Sequence, residues 1–219
     1  TGGVTATARS ARTSDGSSGS LVFVYDASPR EDYTKAFPIH REAGVPGCVA
    51  VVTGALGAED RLSVGNLREM AAAGWEVMSN TVRRRGLGTL SVTEPVEPDD
   101  TRVYTVTSKH GRYPGDPVLV FDGETASAAS VAGRGSDETG EYVTLHNPVG
   151  ESFDVQGTQI RYTNDRIRES LRQSKRDLER YGFDVSGLVL PYDMTGPRVR
   201  ALAPEWYDAV ANGRYHGDR

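Results

Sequence analysis

Asp26 is the first residue whose type and position point to chemistry. It follows the apolar run at 21–25 and precedes Ala27, Ser28 and Pro29, and Pro29 ends the run because it lacks a backbone donor. A continuous apolar run predicts a central strand that is buried on both faces of a parallel sheet. The carboxyl end of such a strand is where α/β proteins place ligand chemistry. Two interpretations stay open: Asp26 belongs to a functional site, or it caps the turn into the next helix.

Other candidate groups are weaker. The run Arg83-Arg84-Arg85 has three interpretations: a phosphate or sulfate site, a solvated loop, or charges that pair with Asp26 and its neighbours. Three histidines have no spacing typical of metal ligands, and we interpret them as surface or boundary residues: His40, His110 and His146. His216 is the only histidine late in the sequence, and it lies in a Gly-rich stretch. There is no G-x-S-x-G sequence, no Walker loop and no G-x-G-x-x-G sequence after a strand.

Composition limits the function classes. The 219 residues suffice for one substantial core, or for a core and a small module. The net charge of −5 gives no electrostatic case for nucleic acid, and no apolar run is long enough for a membrane span. Lys35, Lys109 and Lys175 are the only lysines among 25 basic residues, a bias that with the acidic excess suits a GC-rich genome and a salty habitat. The single Cys48 cannot form an internal disulfide and is predicted to be a small core residue.

The elements around Asp26 alternate between strand and helix. Helical spacing is present at 32–43 and 62–73, and strand-like runs are present at 48–53 and 75–78. This order predicts parallel strands that are joined by right-handed crossovers. The strand ends that carry Asp26, Thr53 and Ser79-Asn80 should therefore face the same way.

The pattern changes after Leu90. A Pro- and acid-rich connector at 91–100 leads into alternating runs that predict an antiparallel module, a small barrel, at 101–107, 117–123, 124–133, 141–146 and 158–163. An amphipathic helix follows at 163–181; it has an apolar stripe, and Asn164 can cap it. After it the sequence predicts a strand at 186–192 and a helix at 198–210 that Pro204 kinks.

Three segments are predicted from this pattern. An α/β domain covers 21–91 and 162–219, and a β module at 92–161 interrupts it. Residues 1–20 are rich in Gly, Ser, Thr and Ala, which predicts a flexible arm that is either the tail of an export signal or an interdomain linker.

Four stretches together resemble a known family. They read FVYDASPREDYTKAFPIHREAGVPGCVAVVT, GWEVMSNTVRRRGL, LVLPYDMTG and RVRALAPEWYDAVANGRYHGDR. Their order and spacing are similar to those of polysaccharide deacetylase domains of the NodB-homology type, and in particular to haloarchaeal members with a small β insertion. The resemblance implies an α/β fold, a partial or distorted (β/α) barrel of the polysaccharide deacetylase type with an inserted small antiparallel β-barrel module.

The departures from the family pattern concern the catalytic machinery. The resemblance implies that Asp26 occupies the position of the catalytic base, whereas Ala27, Asn80 and Arg84 occupy the three metal-ligand positions. Alanine cannot coordinate a metal, and arginine places a positive charge where the cation would lie. Val189 stands where the third motif usually has Arg, and the later Asp-Trp and His motifs are not matched. We therefore expect no metal and no cofactor, and Arg84 within salt-bridge reach of Asp26.

Three functional readings stay open. The favoured one is a non-catalytic, extracellular or surface protein that retains the fold as a scaffold, with carbohydrate-binding candidates at Tyr25, Asp26, Asn80, Tyr192 and Trp206. The second is an active deacetylase or carbohydrate esterase with an unusual site. The third is a structural component of a virion or cell-surface assembly, whose protein contacts lie on the β module.

Overall fold

The structure is a computed structural model that describes residues 9–12, 18–107, 112–193 and 196–211; for 9–12, 18–20 and 193 it describes the backbone only. Its strands are β1 (Arg9–Arg12), β2 (Ser18–Leu21), β3 (Val24–Tyr25), β4 (Cys48–Val51), β5 (Glu76–Ser79), β6 (Leu90–Ser91), β7 (Arg102–Thr105), β8 (Pro117–Phe121), β9 (Ala126–Ser136), β10 (Glu141–Leu145), β11 (Gln159–Arg161), β12 (Gly187–Val189) and β13 (Ala209–Ala211). Its α-helices are α1 (Phe37–Ala43), α2 (Val64–Ala72), α3 (Asn164–Arg180) and α4 (Pro197–Leu202).

The chain forms two compact units. The first takes its described residues from 1–84, 172–189 and 206–211, and the second from 85–171 and 190–205. In the first unit a curled parallel sheet forms a half-barrel, with strand order β13-β12-β5-β4-β3. Every residue of β4 is buried, including Cys48 as predicted. The carboxyl ends of β3, β4 and β5 lie at one edge of the sheet, as the alternating pattern predicted.

The first strand differs from the prediction. It is not central: β3 has two residues and lies at the end of the described strand order, paired in parallel with β4. The apolar residues before it are exposed, with Leu21 62% and Phe23 42% accessible. An apolar run predicts that a strand can be buried, whereas β3 pairs with only one described strand and lies at the edge of the sheet. Upstream of it, β1 and β2 pair in antiparallel fashion within the predicted arm; the rest of that arm lies outside the described residues.

Helix α2 begins where the sequence provides a cap. The Ser63 hydroxyl accepts from the Asn66 backbone N–H at 3.1 Å, and the Asn66 side chain accepts from the Ser63 N–H at 3.0 Å. Leu67 and Met70 on one face of this helix are fully buried.

Helix α3 has the predicted apolar stripe, because Ile167, Leu171 and Leu178 are fully buried. Its cap is not Asn164, however. The Thr163 hydroxyl accepts from the Arg166 N–H at 3.1 Å, and Asn164 is the first helical residue.

The prediction of a helix at 198–210 is wrong for its second half. Helix α4 ends at Leu202, a 3₁₀ turn covers Ala203–Glu205, and the chain then enters β13, which pairs in parallel with β12. Pro204 has no backbone N–H and disfavours continued helix, so the chain leaves the helical path here instead of kinking within it.

The second unit contains the antiparallel module. Its six strands follow the order β6-β11-β8-β9-β10-β7 and form a nearly closed barrel. The alternating runs were correctly assigned, since β7, β8, β10 and β11 each place every second residue in the core, including Val103, Val118, Val143 and Ile160.

A buried arginine lies at one side of this barrel. Arg112 is fully buried and donates to the carbonyls of Gly88 at 2.7 Å and Ile160 at 3.0 Å. Its guanidinium lies 4.1 Å from the centre of the Tyr162 ring, and the Tyr162 hydroxyl donates to Asp116 at 2.6 Å. Burial raises the pKa of Tyr162 to about 12, which keeps this hydroxyl a donor.

No helix of the described residues combines the length and the apolar character that crossing a bilayer requires.

Candidate functional site

The loops that follow β3, β4 and β5 are tied together through backbone hydrogen bonds. Thr53 N–H donates to the Thr81 carbonyl at 3.2 Å, and Gly54 N–H donates to the Val82 carbonyl at 2.8 Å. A Cβ on Gly54 would lie 2.6 Å from that oxygen, so glycine permits this approach. Leu62 N–H donates to the Ser28 carbonyl at 3.2 Å. The three strand ends therefore form one connected surface.

The backbone of these loops is strained. Four residues of these loops have a positive φ: Ala27 (71°), Ser28 (49°), Thr81 (61°) and Arg84 (49°). Non-glycine residues rarely adopt these values, and such residues concentrate at functional sites. These positions lie in the first two motifs of the family resemblance. The loops thus keep a costly conformation although the side chains typical of the family are absent.

Arg84 and Asp26 form an ion pair. Nη2 of Arg84 donates to Oδ2 of Asp26 at 2.6 Å, and the two side chains are 33% and 43% exposed. The predicted salt bridge is confirmed. Within the basic run, Arg83 is exposed, and Arg85 forms an ion pair with Asp116 in the second unit. The interpretation that the run pairs with Asp26 is therefore correct for Arg84, whereas Arg85 pairs with a different carboxylate.

The residues at this edge do not fit a divalent metal. The ligand positions implied by the resemblance are held by an alanine, a buried amide and a guanidinium that already contacts Asp26. In the part of the chain that is described, no group of three or more His, Cys, Asp or Glu side chains is arranged to hold a metal ion. His146 is exposed at the end of the module strand, and His110 and His216 lie outside the described residues.

Asn80 is fully buried, and the nitrogen of its side-chain amide makes a structural hydrogen bond. Its Nδ2 donates to the Val189 carbonyl at 3.0 Å, which connects the end of β5 to β12. Among the described residues its Oδ1 has no hydrogen-bond partner, and the same holds for the hydroxyl of buried Thr81. A buried acceptor without a partner is costly. These two oxygens are unsatisfied within the described part of the protein, and their burial keeps them out of contact with the surface.

A chain of buried hydroxyls lies beneath this turn. Ser79 and Ser174 lie 2.7 Å apart, Ser174 and Tyr207 lie 3.0 Å apart, and the Thr81 N–H donates to Ser79 at 3.2 Å. The hydrogen bonds join β5, α3 and Tyr207, two residues before β13, and so they fix the Asn80-Thr81 turn from below.

Tyr25 lies apart from this pair. Its hydroxyl is 2.8 Å from His40 Nε2, and His40 Nδ1 is 2.8 Å from the Val45 carbonyl, so Nδ1 donates and Nε2 accepts from Tyr25. His40 is buried and stacks edge-on against Trp75, which corrects its prediction as a surface or boundary residue. Tyr25 contributes to an apolar pocket of about 380 Å³ beside α1, together with Phe23, Ala36, Ile39, Ala43 and Val45.

The two remaining predicted residues lie in different units. Trp206 belongs to the first unit, is half-buried, and its carbonyl accepts from Lys175 Nζ at 2.7 Å. Tyr192 belongs to the second unit, is half-buried, and has a φ of 56°. That either residue binds carbohydrate stays a prediction.

The sequence reasoning missed Asp32. It was placed at the start of a helix, and it does begin the π-helical turn Asp32–Ala36. The residue is only 6% exposed, however, and burial, Glu31 and Asp26 raise its pKa to about 7. Two acids in one loop, six residues apart and on either side of Pro29, were the available signal.

Comparisons with known proteins identify the fold. No protein-family profile and no curated protein matches the sequence. Among solved structures, IcaB from Ammonifex degensii is 14% identical, with a TM-score of 0.50 over 89% of this chain and 62% of that one. The Streptococcus pyogenes deacetylase PplD in complex with acetate is 12% identical, with a TM-score of 0.49 over 84% of this chain and 51% of that one. A polysaccharide deacetylase from Bacillus cereus is 13% identical, with a TM-score of 0.48 over 86% and 38%.

This chain has the polysaccharide deacetylase fold. The fold class predicted from the four motifs, a partial (β/α) barrel with an antiparallel barrel sheet, is confirmed. The chain spans less than two thirds of the length of each of these structures.

Proposed function

We propose that this protein is a diverged, non-catalytic member of the polysaccharide deacetylase family that binds glycan at the Asp26–Arg84 edge of its parallel sheet. The observation that carries the proposal is the contact of 2.6 Å between Arg84 Nη2 and Asp26 Oδ2. A guanidinium at this place supplies the positive charge that a metal ion supplies in active relatives. It cannot bind and activate water as a Lewis acid does.

The groups at this edge suit the hydroxyls of a sugar. Asp26 accepts hydrogen bonds and Arg84 donates them, and both side chains are partly exposed. The paired charges compensate each other, so the surface favours polar neutral groups over a free ion. The strained loops support the same proposal, because such backbone is retained where a site needs it.

We place the protein at the cell surface, outside the cell or on a virion, where glycans are accessible, with protein partners on the β module. The placement follows from the motif resemblance and from the proposed ligand, and secretion of the natural protein from its host tests it.

The binding proposal is tested with the purified chain and a panel of neutral oligosaccharides, N-acetylated oligosaccharides and uronic-acid oligosaccharides, using isothermal titration calorimetry. We expect binding to at least one neutral or N-acetylated oligosaccharide, a loss of tenfold or more in Arg84→Ala and Asp26→Ala, and no change in the matched control Arg83→Ala. In parallel, acetate release is measured with and without added Zn²⁺ or Co²⁺. Acetate release that depends on metal would show an active esterase and would overturn the non-catalytic assignment.

A further inference from the structure

Asp32 is a buried acid with an unsatisfied oxygen. Asp32 as a residue is 6% exposed, and among the described residues its Oδ2 has no hydrogen-bond partner. The backbone holds it in place, because its N–H donates to the Pro29 carbonyl at 3.1 Å at the start of a π-helical turn. Such turns are rare and are often found at functional sites. The side chain is therefore fixed in a poorly solvated position six residues from Asp26.

Three ionisable side chains act on Asp32 electrostatically, and it acts on a fourth. Glu31 and Asp26 disfavour its ionised form, Arg61 favours it, and its own charge raises the pKa of the Tyr25 hydroxyl. Arg61 is thus the cation that an ionised Asp32 would attract. Arg61 follows the β4 loop and is half-buried.

Arg61 currently supports the turn that carries Asp26. Its Nη1 donates to the Ala27 carbonyl at 2.9 Å. The next residue, Ser28, is held by the Leu62 N–H at 3.2 Å on its carbonyl and by the Val52 N–H at 3.3 Å on its hydroxyl. Ala27 and Ser28 both have positive φ, a conformation that persists only when neighbouring contacts enforce it.

We infer that Asp32 is a positioning residue for Asp26: while protonated it leaves Arg61 on the Ala27 carbonyl, and when ionised it draws Arg61 away and relaxes the turn. On ionisation the carboxyl proton passes to solvent and no bond other than O–H breaks. A guanidinium–carboxylate hydrogen bond is stronger than a guanidinium–carbonyl one, which gives the direction of the exchange. Burial of Asp32 places its ionisation near neutral pH, so the exchange falls in an accessible range.

The inference concerns the shape of the Asp26 turn and gives the proposed glycan site a pH dependence. Only the pH dependence of glycan binding rests on the proposed function. Loss of glycan binding with intact pH-dependent behaviour of the turn would contradict the proposed function alone.

Amide hydrogen exchange of the uniformly labelled protein, followed by NMR at pH 6, 7 and 8 and corrected for the intrinsic rate, tests the inference. The reporters are the amides of Leu62 and Val52, which donate to Ser28. If opening is linked to loss of one proton, protection of these amides falls by up to about tenfold per pH unit as pH rises toward 7, and it levels off above the Asp32 pKa of about 7 in the closed state. The amide of Asn80, which donates to the Val51 carbonyl, serves as the internal reference and keeps its protection.

The variants separate Asp32 from its surroundings. In Asp32→Asn the protection of Leu62 and Val52 stays high at all three pH values, because asparagine does not ionise. The matched control Asp60→Asn removes an exposed acid from the loop of Arg61 and retains the pH dependence. pH-independent protection in the wild type, or retained pH dependence in Asp32→Asn, would overturn the inference. If Asp32→Asn does not fold, the wild-type Asp32 carboxyl ¹³C shift and the Arg61 Nη resonances must titrate together near pH 7, and separate titrations would overturn it equally.

Discussion

Arg84 Nη2 lies 2.6 Å from Asp26 Oδ2, so a guanidinium and a carboxylate form a direct pair at the edge of the sheet where the resemblance implies a metal. Both side chains are partly exposed, which limits the energy of this contact to that of a surface ion pair. Arg84 also has a positive φ, so the loop is bent to bring this side chain to Asp26. The pair is the main difference between this site and the active sites that its motifs resemble.

The first prediction concerns metal content. We expect the protein purified from medium supplemented with Zn²⁺ to contain well under one equivalent of transition metal, because Ala27, Asn80 and Arg84 occupy the ligand positions that the resemblance implies. Elemental analysis by mass spectrometry measures the content. Treatment with EDTA should likewise leave the thermal midpoint unchanged, and one tightly bound equivalent would contradict the prediction.

The second prediction concerns the ion pair. Arg84→Ala should lower the free energy of unfolding by about 0.2–1 kcal/mol, the usual range for a pair with this exposure, and the loss should shrink at high salt. Arg83→Ala is the matched control from the same loop, and its side chain is exposed. Urea unfolding at low and high NaCl provides the comparison. Equal effects of the two substitutions would show that the Arg84–Asp26 contact contributes nothing to stability.

The third prediction concerns pH and stability. Asp32 has a pKa of about 7 in the folded protein, whereas an aspartate in an unfolded chain has a pKa of about 3.9. Between these values the folded state binds the proton and the unfolded state does not, so the Asp32 contribution lowers the free energy of unfolding as pH rises from 4 to 7. Above pH 7 the contribution levels off.

Asp32→Asn removes this dependence, and the difference in unfolding free energy between wild type and variant should change across that window and be constant above it. Asp60 is exposed, so the unfolding free energy of Asp60→Asn should change with pH in parallel with that of the wild type. Urea titrations at half-unit steps of pH measure the three curves. A constant difference between Asp32→Asn and the wild type from pH 4 to 8 would rule out a raised pKa at Asp32.

Much of the fold was predictable because it follows local patterns. The β4 and β5 strands, the helices α2 and α3 and the module strands each have a periodicity that matches their burial. The edge position of β3 was not predictable, since an apolar run reports burial potential and not the number of neighbours that a strand obtains. The end of α4 was also missed, although Pro204 signalled it, because the pattern beyond it also fitted a helix.

The candidate site was also predictable only in part. The contact between Asp26 and Arg84 followed from charge and from the motif spacing. Tyr25, which neighbours Asp26 in sequence, faces His40 and Trp75 instead, because alternate residues of a strand point to opposite sides. Asp32 was missed because the spacing of the two acids shows only that they share a loop, whereas the burial of Asp32 depends on tertiary packing.

The fourth prediction concerns the buried arginine of the module. Arg112→Met should lower the free energy of unfolding by about 3 kcal/mol or more, because it leaves the Gly88 and Ile160 carbonyls buried without a donor. The matched control is Arg102→Met, where the arginine stacks on Tyr142 at the exposed side of the same sheet, and its effect should be much smaller. Chemical unfolding followed by tyrosine fluorescence measures both, and comparable losses would contradict a structural role for the buried guanidinium.

The last prediction concerns the β module as a unit of folding and of partner contact. The predicted boundaries at 92 and 161 stay a prediction, but the pairing suggests a deletion that begins earlier, because β6 pairs with β11 and Val92 pairs with Thr105. Replacing 90–161 with a short Gly/Ser linker removes all six strands of that sheet. We expect a variant with cooperative unfolding and native-like tryptophan fluorescence from Trp75, but without partner binding. The control shortens only the turn at 137–140 between β9 and β10 and should retain both properties. An unfolded deletion variant would show that the module belongs to the core, and a folded one that still binds its partner would show that the contacts lie elsewhere.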